Sequence, residues 1–145
     1  MFKHLLMPTD GSALSQAAIE RGMQLAKSLQ AKVTGIYVMP QFHILAYQAE
    51  MVADTEPQFA ADSQAHADQY LAAIGQAARG AGVACDTVAA TSDHPFEAII
   101  QAAQDKGCDL IVMASHGRRG VRGLLLGSET HKVLTHSKIP VLVFR

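Results

Sequence analysis

Ala114-Ser115-His116-Gly117, nine further residues and then Gly127-Ser128 form the stretch of this chain best suited to chemistry. The apolar run Asp109-Leu110-Ile111-Val112-Met113 stands directly before it. A buried strand that ends in a glycine-spaced loop and then opens a helix offers an anion a row of backbone N–H groups, because the first helical turn has no internal partners for them. The spacing reads as a phosphate cradle. A second polar stretch, Pro8-Thr9-Asp10-Gly11-Ser12, follows the first apolar run of the chain.

Each of these residues also has a plainer reading. Asp10 before Gly11 and Ser12 suits a turn and helix cap as well as a ligand contact. Gly117, Gly120, Gly123 and Gly127 suit loop positions with positive φ, or places where a ligand must approach backbone that a Cβ would block. Gly117 and Gly127 are the two expected to meet a ligand. Ser128 can cap its helix, lend its hydroxyl and N–H to a phosphate, or do both. Arg118, Arg119 and Arg122 could clamp phosphates, although an arginine run in an exposed loop is ordinarily solvated surface. His116 could be a pH-sensitive ligand contact or a loop residue; the sequence places no carboxylate beside it, which argues against catalysis by it. His131 and His136 are five apart, off the i, i+4 register that lets two imidazoles share a metal. Cys85 and Cys108 form no CxxC pair and sit in apolar settings, so they read as small buried hydrophobes. No metal site built by the protein itself is expected.

The elements that must position these loops alternate along the chain. Short β-branched runs and alanine-rich helical stretches follow one another, the pattern of a parallel sheet covered on both faces. Strands are expected over Phe2 to Met7 (stopped by Pro8), Lys32 to Val38, Val83 to Thr91, Asp109 to Ala114 and Ile139 to Phe144. Helices are expected over Ala13 to Gln30 with Ser12 as N-cap, Pro57 to Arg79, from Asp93-His94-Pro95 to Lys106, and Gly127 to His136. Met39 to Thr55 is aromatic-rich and too long for a minimal connection, which suits a lid or short irregular helix. The fold class is therefore α/β: one doubly wound, five-stranded parallel sheet. If its order is 3-2-1-4-5, the loops after strands one and four flank the switch point where ligands collect in such sheets.

Composition bounds the rest. With 145 residues, 49% hydrophobic and 17% charged, the chain suits one compact domain. A net charge of −1 gives no global positive field to draw it onto nucleic acid or an anionic membrane. No run is apolar enough to suggest a membrane span and no secretory leader is evident, so a cytoplasmic protein is expected. The apolar run Val141-Leu142-Val143-Phe144 would lie at a sheet edge, where pairing with its copy across a two-fold axis would cover it.

Met7-Pro8-Thr9-Asp10-Gly11-Ser12, Ile111 through Gly120, Leu124-Leu125-Leu126-Gly127-Ser128-Glu129 and Ile139-Pro140-Val141-Leu142-Val143 together resemble a universal stress protein, over essentially residues 1–145. The resemblance implies an adenine-nucleotide alpha-hydrolase-like fold and homodimers through residues 139–144. ATP-binding members carry Gly-x2-Gly-x9-Gly-(Ser/Thr) after strand four. Here Gly117 and Gly127-Ser128 match, while Ala114 replaces the first glycine. That exchange is harmless if position 114 stays in strand geometry and damaging if ligand must touch its Cα.

The resemblance thus implies an ATP site made by Pro8, Thr9, Asp10, Val38, Met113, Ala114, His116, Gly117, Arg118, Gly127, Ser128 and Glu129. Mg²⁺ or Mn²⁺ would be held through the phosphates. Adenine would sit beside Val38 and Pro8, ribose by Asp10 and Gly117, and phosphates on the N–H groups around Gly127 and Ser128. The expected function is binding and signalling in a stress response. No phosphate-loop lysine, acidic pair or evident base accompanies the cradle, so at most weak hydrolysis is expected and no catalytic residue is assigned. Two alternatives stay open: a slow ATPase or nucleotidyl-transfer enzyme on the same site, and a dimeric interaction protein that binds no nucleotide.

Overall fold

The computed structural model describes residues 1–43, 55–118 and 125–145. Its elements are β1 His4–Thr9, α1 Ala13–Leu29, β2 Lys32–Met39, α2 Thr55–Ala81, β3 Cys85–Thr91, α3 Pro95–Lys106, β4 Leu110–Ala114, α4 Ser128–His136 and β5 Val141–Phe144. The strands form one sheet in the order β3-β2-β1-β4-β5, every pair parallel. This is the doubly wound order expected from the alternation of strands and helices, with the switch point between β1 and β4.

Side chains alternate between the faces of a strand, so runs that are apolar at every position need cover on both sides. Leu5, Met7, Val33, Leu110 and Val112 face α1 and α2, where they pack with Ile19, Met23, Ala26, Ile74 and Ala78. Leu6, Ile36, Ile111 and Met113 face the opposite way and pack with Ile99, Ala103 and Val133 of α3 and α4. The two helical layers thus cover opposite faces of the sheet.

Several boundaries differ from expectation for local reasons. β1 runs through Pro8 to Thr9 rather than stopping at Met7. Asp109 N donates to His4 O, and the β1–β4 pairing ends at Leu6 and Ile111. Pro8, two residues beyond Leu6, turns its missing N–H toward that finished ladder and costs it nothing. α2 starts at Thr55, two residues before Pro57, because a proline in the first turn lacks only an N–H that has no helical partner anyway. β3 starts at Cys85 because Val83 N still closes the end of α2, donating to Ala78 O (2.9 Å). β5 starts at Val141, Ile139 N being taken by the Ser137 hydroxyl (3.0 Å).

Ser12 caps α1 as expected, accepting from Ser15 N at 3.2 Å. At the amino edge of the sheet, Asp109 accepts from Lys3 N (2.8 Å) and His4 N (3.0 Å). Most of the expected lid, residues 44–54, and Arg119, Gly120, Arg122 and Gly123 lie outside the described residues.

Candidate functional site at the switch point

The loop after β1 is organised by its own side chains. Thr9 Oγ1 accepts from Gly11 N (3.1 Å), and Asp10 Oδ1 accepts from Ser12 N (2.9 Å) and from the Ser15 hydroxyl (2.7 Å). Gly11 adopts φ +78°, and a Cβ there would collide with the Tyr70 ring. Asp10 Oδ2 reaches across the switch point and accepts from Arg118 N at 2.8 Å. Burial works to raise the Asp10 carboxyl, but the hydrogen bonds from Ser12, Ser15 and Arg118 prevail and hold it below the usual carboxylate range. A carboxylate has about four acceptor positions. Donors among the described residues fill three of them, two on Oδ1 and one on Oδ2.

Gly117 lies against this carboxylate. A Cβ on it would come closer to Asp10 Oδ2 than the 3.0 Å at which something must move. The close approach of the two loops therefore depends on glycine. The β4 end of the loop is tied down as well: Ser115 N donates to Phe144 O (2.8 Å), Gly127 N to Ser115 O (2.6 Å), and the Thr130 hydroxyl to Ala114 O (2.9 Å). A Cβ on Gly127 would stand 3.3 Å from His116 Cα and Ser115 O. Gly127 is the N-cap of α4 and provides no side-chain cap, so the first-turn N–H groups of Ser128, Glu129 and Thr130 have no partner within the helix.

The other expected residues fall around this centre in different ways. Pro8 and Val38 are half-buried near the carboxyl ends of β1 and β2, and Thr9, Met113 and Ala114 are buried. Ala114 remains in β4, paired with Phe144, so its extra methyl group sits in strand geometry. His116 Nδ1 bonds the Ser115 hydroxyl at 3.0 Å, while its buried Nε2 has no partner among the described residues. The Glu129 carboxylate turns away to α3, where it accepts from Phe96 N (3.0 Å), and it also accepts from Lys132 Nζ one turn along its own helix (3.3 Å). The backbone N–H of Glu129 stays among the uncapped first-turn groups of α4. Among the described residues no group of three or more His, Cys, Asp and Glu gathers as a metal centre.

Tyr70 was not legible as a site residue. It lies mid-helix on α2, yet its hydroxyl accepts from Arg118 Nη2 and its ring centroid is 5.3 Å from the guanidinium carbon. Arg118 Nε donates to Asp10 O at 2.8 Å. Tyr70 stacks on His66 (centroids 5.9 Å, planes 13° apart) and meets Tyr37 edge-on at 5.2 Å. Its only sequence signal is an aromatic ring on a helix otherwise rich in alanine and polar residues.

The fold defines a doubly wound α/β protein of the adenine-nucleotide alpha-hydrolase-like type, with the loops after β1 and β4 meeting at its switch point. The model of the universal stress protein family matches residues 1–145, and the chain belongs to that family. It is 30% identical over 145 residues to universal stress protein MJ0531 of Methanocaldococcus jannaschii, covering 100% of this chain and 83% of the relative. Among solved structures, MJ0577 of the same organism superposes with a TM-score of 0.79 at 26% identity, covering 99% of this chain and 95% of that one. A universal stress protein in complex with cAMP has a TM-score of 0.68 at 23% identity, with coverage of 99% and 97%. One from Archaeoglobus fulgidus in complex with dAMP has a TM-score of 0.70 at 13% identity, with coverage of 100% and 98%.

Proposed function

We propose that the chain is a nucleotide-responsive stress protein that binds ATP across the switch point, with Mg²⁺ or Mn²⁺ carried on the phosphates. The observation that carries this reading is the meeting of the two loops: glycines where Cβ atoms would block close approach, beside a helix start with no side-chain cap. The cAMP and dAMP complexes of related folds support an adenine nucleotide as the occupant.

In this reading Val38 and Pro8 flank adenine, and a second acceptor position on Asp10 Oδ2 takes a ribose hydroxyl. The N–H groups of Ser128, Glu129 and Thr130 and the Ser128 hydroxyl receive phosphate oxygens. Each helix-dipole contact contributes only about 0.3–1 kcal/mol, so affinity is the sum of many small terms. The divalent ion would neutralise phosphate charge, with the protein holding the phosphates rather than the metal. Asp10 is held ionised by three donors and is poorly placed to take a proton, which favours binding and signalling over hydrolysis.

The family placement also supports a cytoplasmic homodimer. β5 is paired with β4 on one side only, and its residues are half-buried in the single chain. Calorimetry and thermal melting with Mg-ATP test the nucleotide reading, since ligand at 100 times Kd stabilises by about 2.7 kcal/mol. A melting curve and a calorimetric trace that ignore Mg-ATP, AMP and adenosine alike would refute it.

A further inference from the structure

We propose that Tyr70 is a specificity-determining residue of the nucleotide site, acting through Arg118: it holds the guanidinium on the α2 side of the crevice and so weakens selection for ligands with more phosphates. The inference rests on the nucleotide reading above. Arg118 is anchored at its backbone by Asp10 Oδ2, while its side chain leans over the loop after β1, with Nε on Asp10 O and Nη2 on the Tyr70 hydroxyl. Tyr70 is itself fixed by His66, Tyr37 and Gly11.

α2 packs on one face of the sheet through Ile74 and Ala78, and α4 packs on the other through Val133. The guanidinium is therefore drawn toward the face opposite the α4 start. The loop that carries Arg118 nonetheless passes close to the α4 start at the preceding residue, since a Cβ on Gly127 would lie 3.9 Å from Gly117 N. Among the described residues the groups that hold the guanidinium, a carbonyl, a phenol and an aromatic face, are neutral. A phosphate is a stronger partner for it, because charge-assisted bonds exceed neutral ones about twofold.

The consequence is a competition. A polyphosphate must draw Arg118 off Tyr70, and its apparent affinity falls with the fraction of molecules in which Arg118 is free. Adenosine offers no phosphate and is indifferent to the contest. Tyr70→Phe keeps the ring and removes only the hydroxyl, so the guanidinium loses one of its three holds and is freed more easily while packing on His66, Tyr37 and Gly11 is kept.

Calorimetric titration of adenosine, AMP and Mg-ATP into the wild type, Tyr70→Phe, Arg118→Gln and the double variant tests this, with thermal melts confirming that each is folded. Tyr70→Phe is expected to bind Mg-ATP roughly tenfold more tightly and adenosine unchanged, one hydrogen bond to a charged group being worth about that factor. Arg118→Gln is expected to weaken Mg-ATP and spare adenosine, and Tyr70→Phe is expected to add nothing in that background. If the wild type binds Mg-ATP but Tyr70→Phe binds it equally or more weakly, or shifts adenosine and ATP together, Tyr70 has no such role and the nucleotide reading stands. If the wild type binds none of the three ligands, both fail.

Discussion

Replacing Gly117 with alanine probes the contact on which the crevice depends. The added Cβ would fall inside the 3.0 Å limit of Asp10 Oδ2, an oxygen that cannot yield cheaply because its carboxylate is held by Ser12 N, Ser15 Oγ and Arg118 N at 2.7–2.9 Å. Either the carboxylate swings away or the loop after β4 lifts, and both break the Arg118 N to Asp10 Oδ2 bond. A hydrogen bond to a charged group contributes about 1.5–3 kcal/mol. A loss of about 2 kcal/mol corresponds to a fall in Tm of roughly 6 °C for a chain of this size. Gly80→Ala is the matched control, since a Cβ there meets nothing within 4 Å, and in a helix it should stabilise by about 0.5–1 kcal/mol. Thermal unfolding of both variants, with and without Mg-ATP, reads the two effects. A Gly117→Ala protein that melts with the wild type and binds Mg-ATP unchanged would show that the loops do not meet as described.

Acid should destabilise the protein in two stages. Burial, helped by the charge of Lys32 and opposed by Asp86 and Asp109, lowers the His4 pKa from its ordinary 6.5, so the unfolded chain binds the extra proton first and stability falls as pH drops below about that value. Asp10, Asp86 and Asp109 are held below 3.8, so their contributions are complete above that value and are lost as pH falls through their folded values. Urea midpoints from pH 8 to 3 should therefore decline from about pH 6.5, and this first stage should vanish in His4→Gln; a flat wild-type midpoint down to pH 5 would contradict the assignment. Glu129→Gln should cost about 1 kcal/mol by weakening the hold on Phe96 N, with the relative affinities for adenosine and ATP preserved; altered phosphate selectivity would return the carboxylate to the site. Ala114→Gly should lower stability by about 1 kcal/mol through lost packing and added chain entropy, without tightening Mg-ATP, whereas a marked gain in affinity would mean that the methyl group obstructs the ligand. Leu142→Lys on the edge strand should give monomer or insoluble protein by light scattering, and a soluble dimer of unchanged size would exclude this interface.

What the sequence settled by itself is whatever depends on neighbours a few residues away. Apolar runs at every position demand a sheet buried on both faces, and Ser12, Pro95 and Gly107 mark helix ends through their own backbone chemistry. The switch-point loops were legible too, because Asp10-Gly11-Ser12 and Gly117 to Ser128 directly follow the first and fourth apolar runs. Tertiary structure alone decided which groups those loops use on each other. Arg118 meets Asp10 across 108 positions and Tyr70 across 48, Glu129 meets Phe96 across 33, and His4 reaches Asp86 through Thr34. Such pairs have no local signature: strand register and the face on which each helix lands bring them together, and these are set by the packing of the whole core.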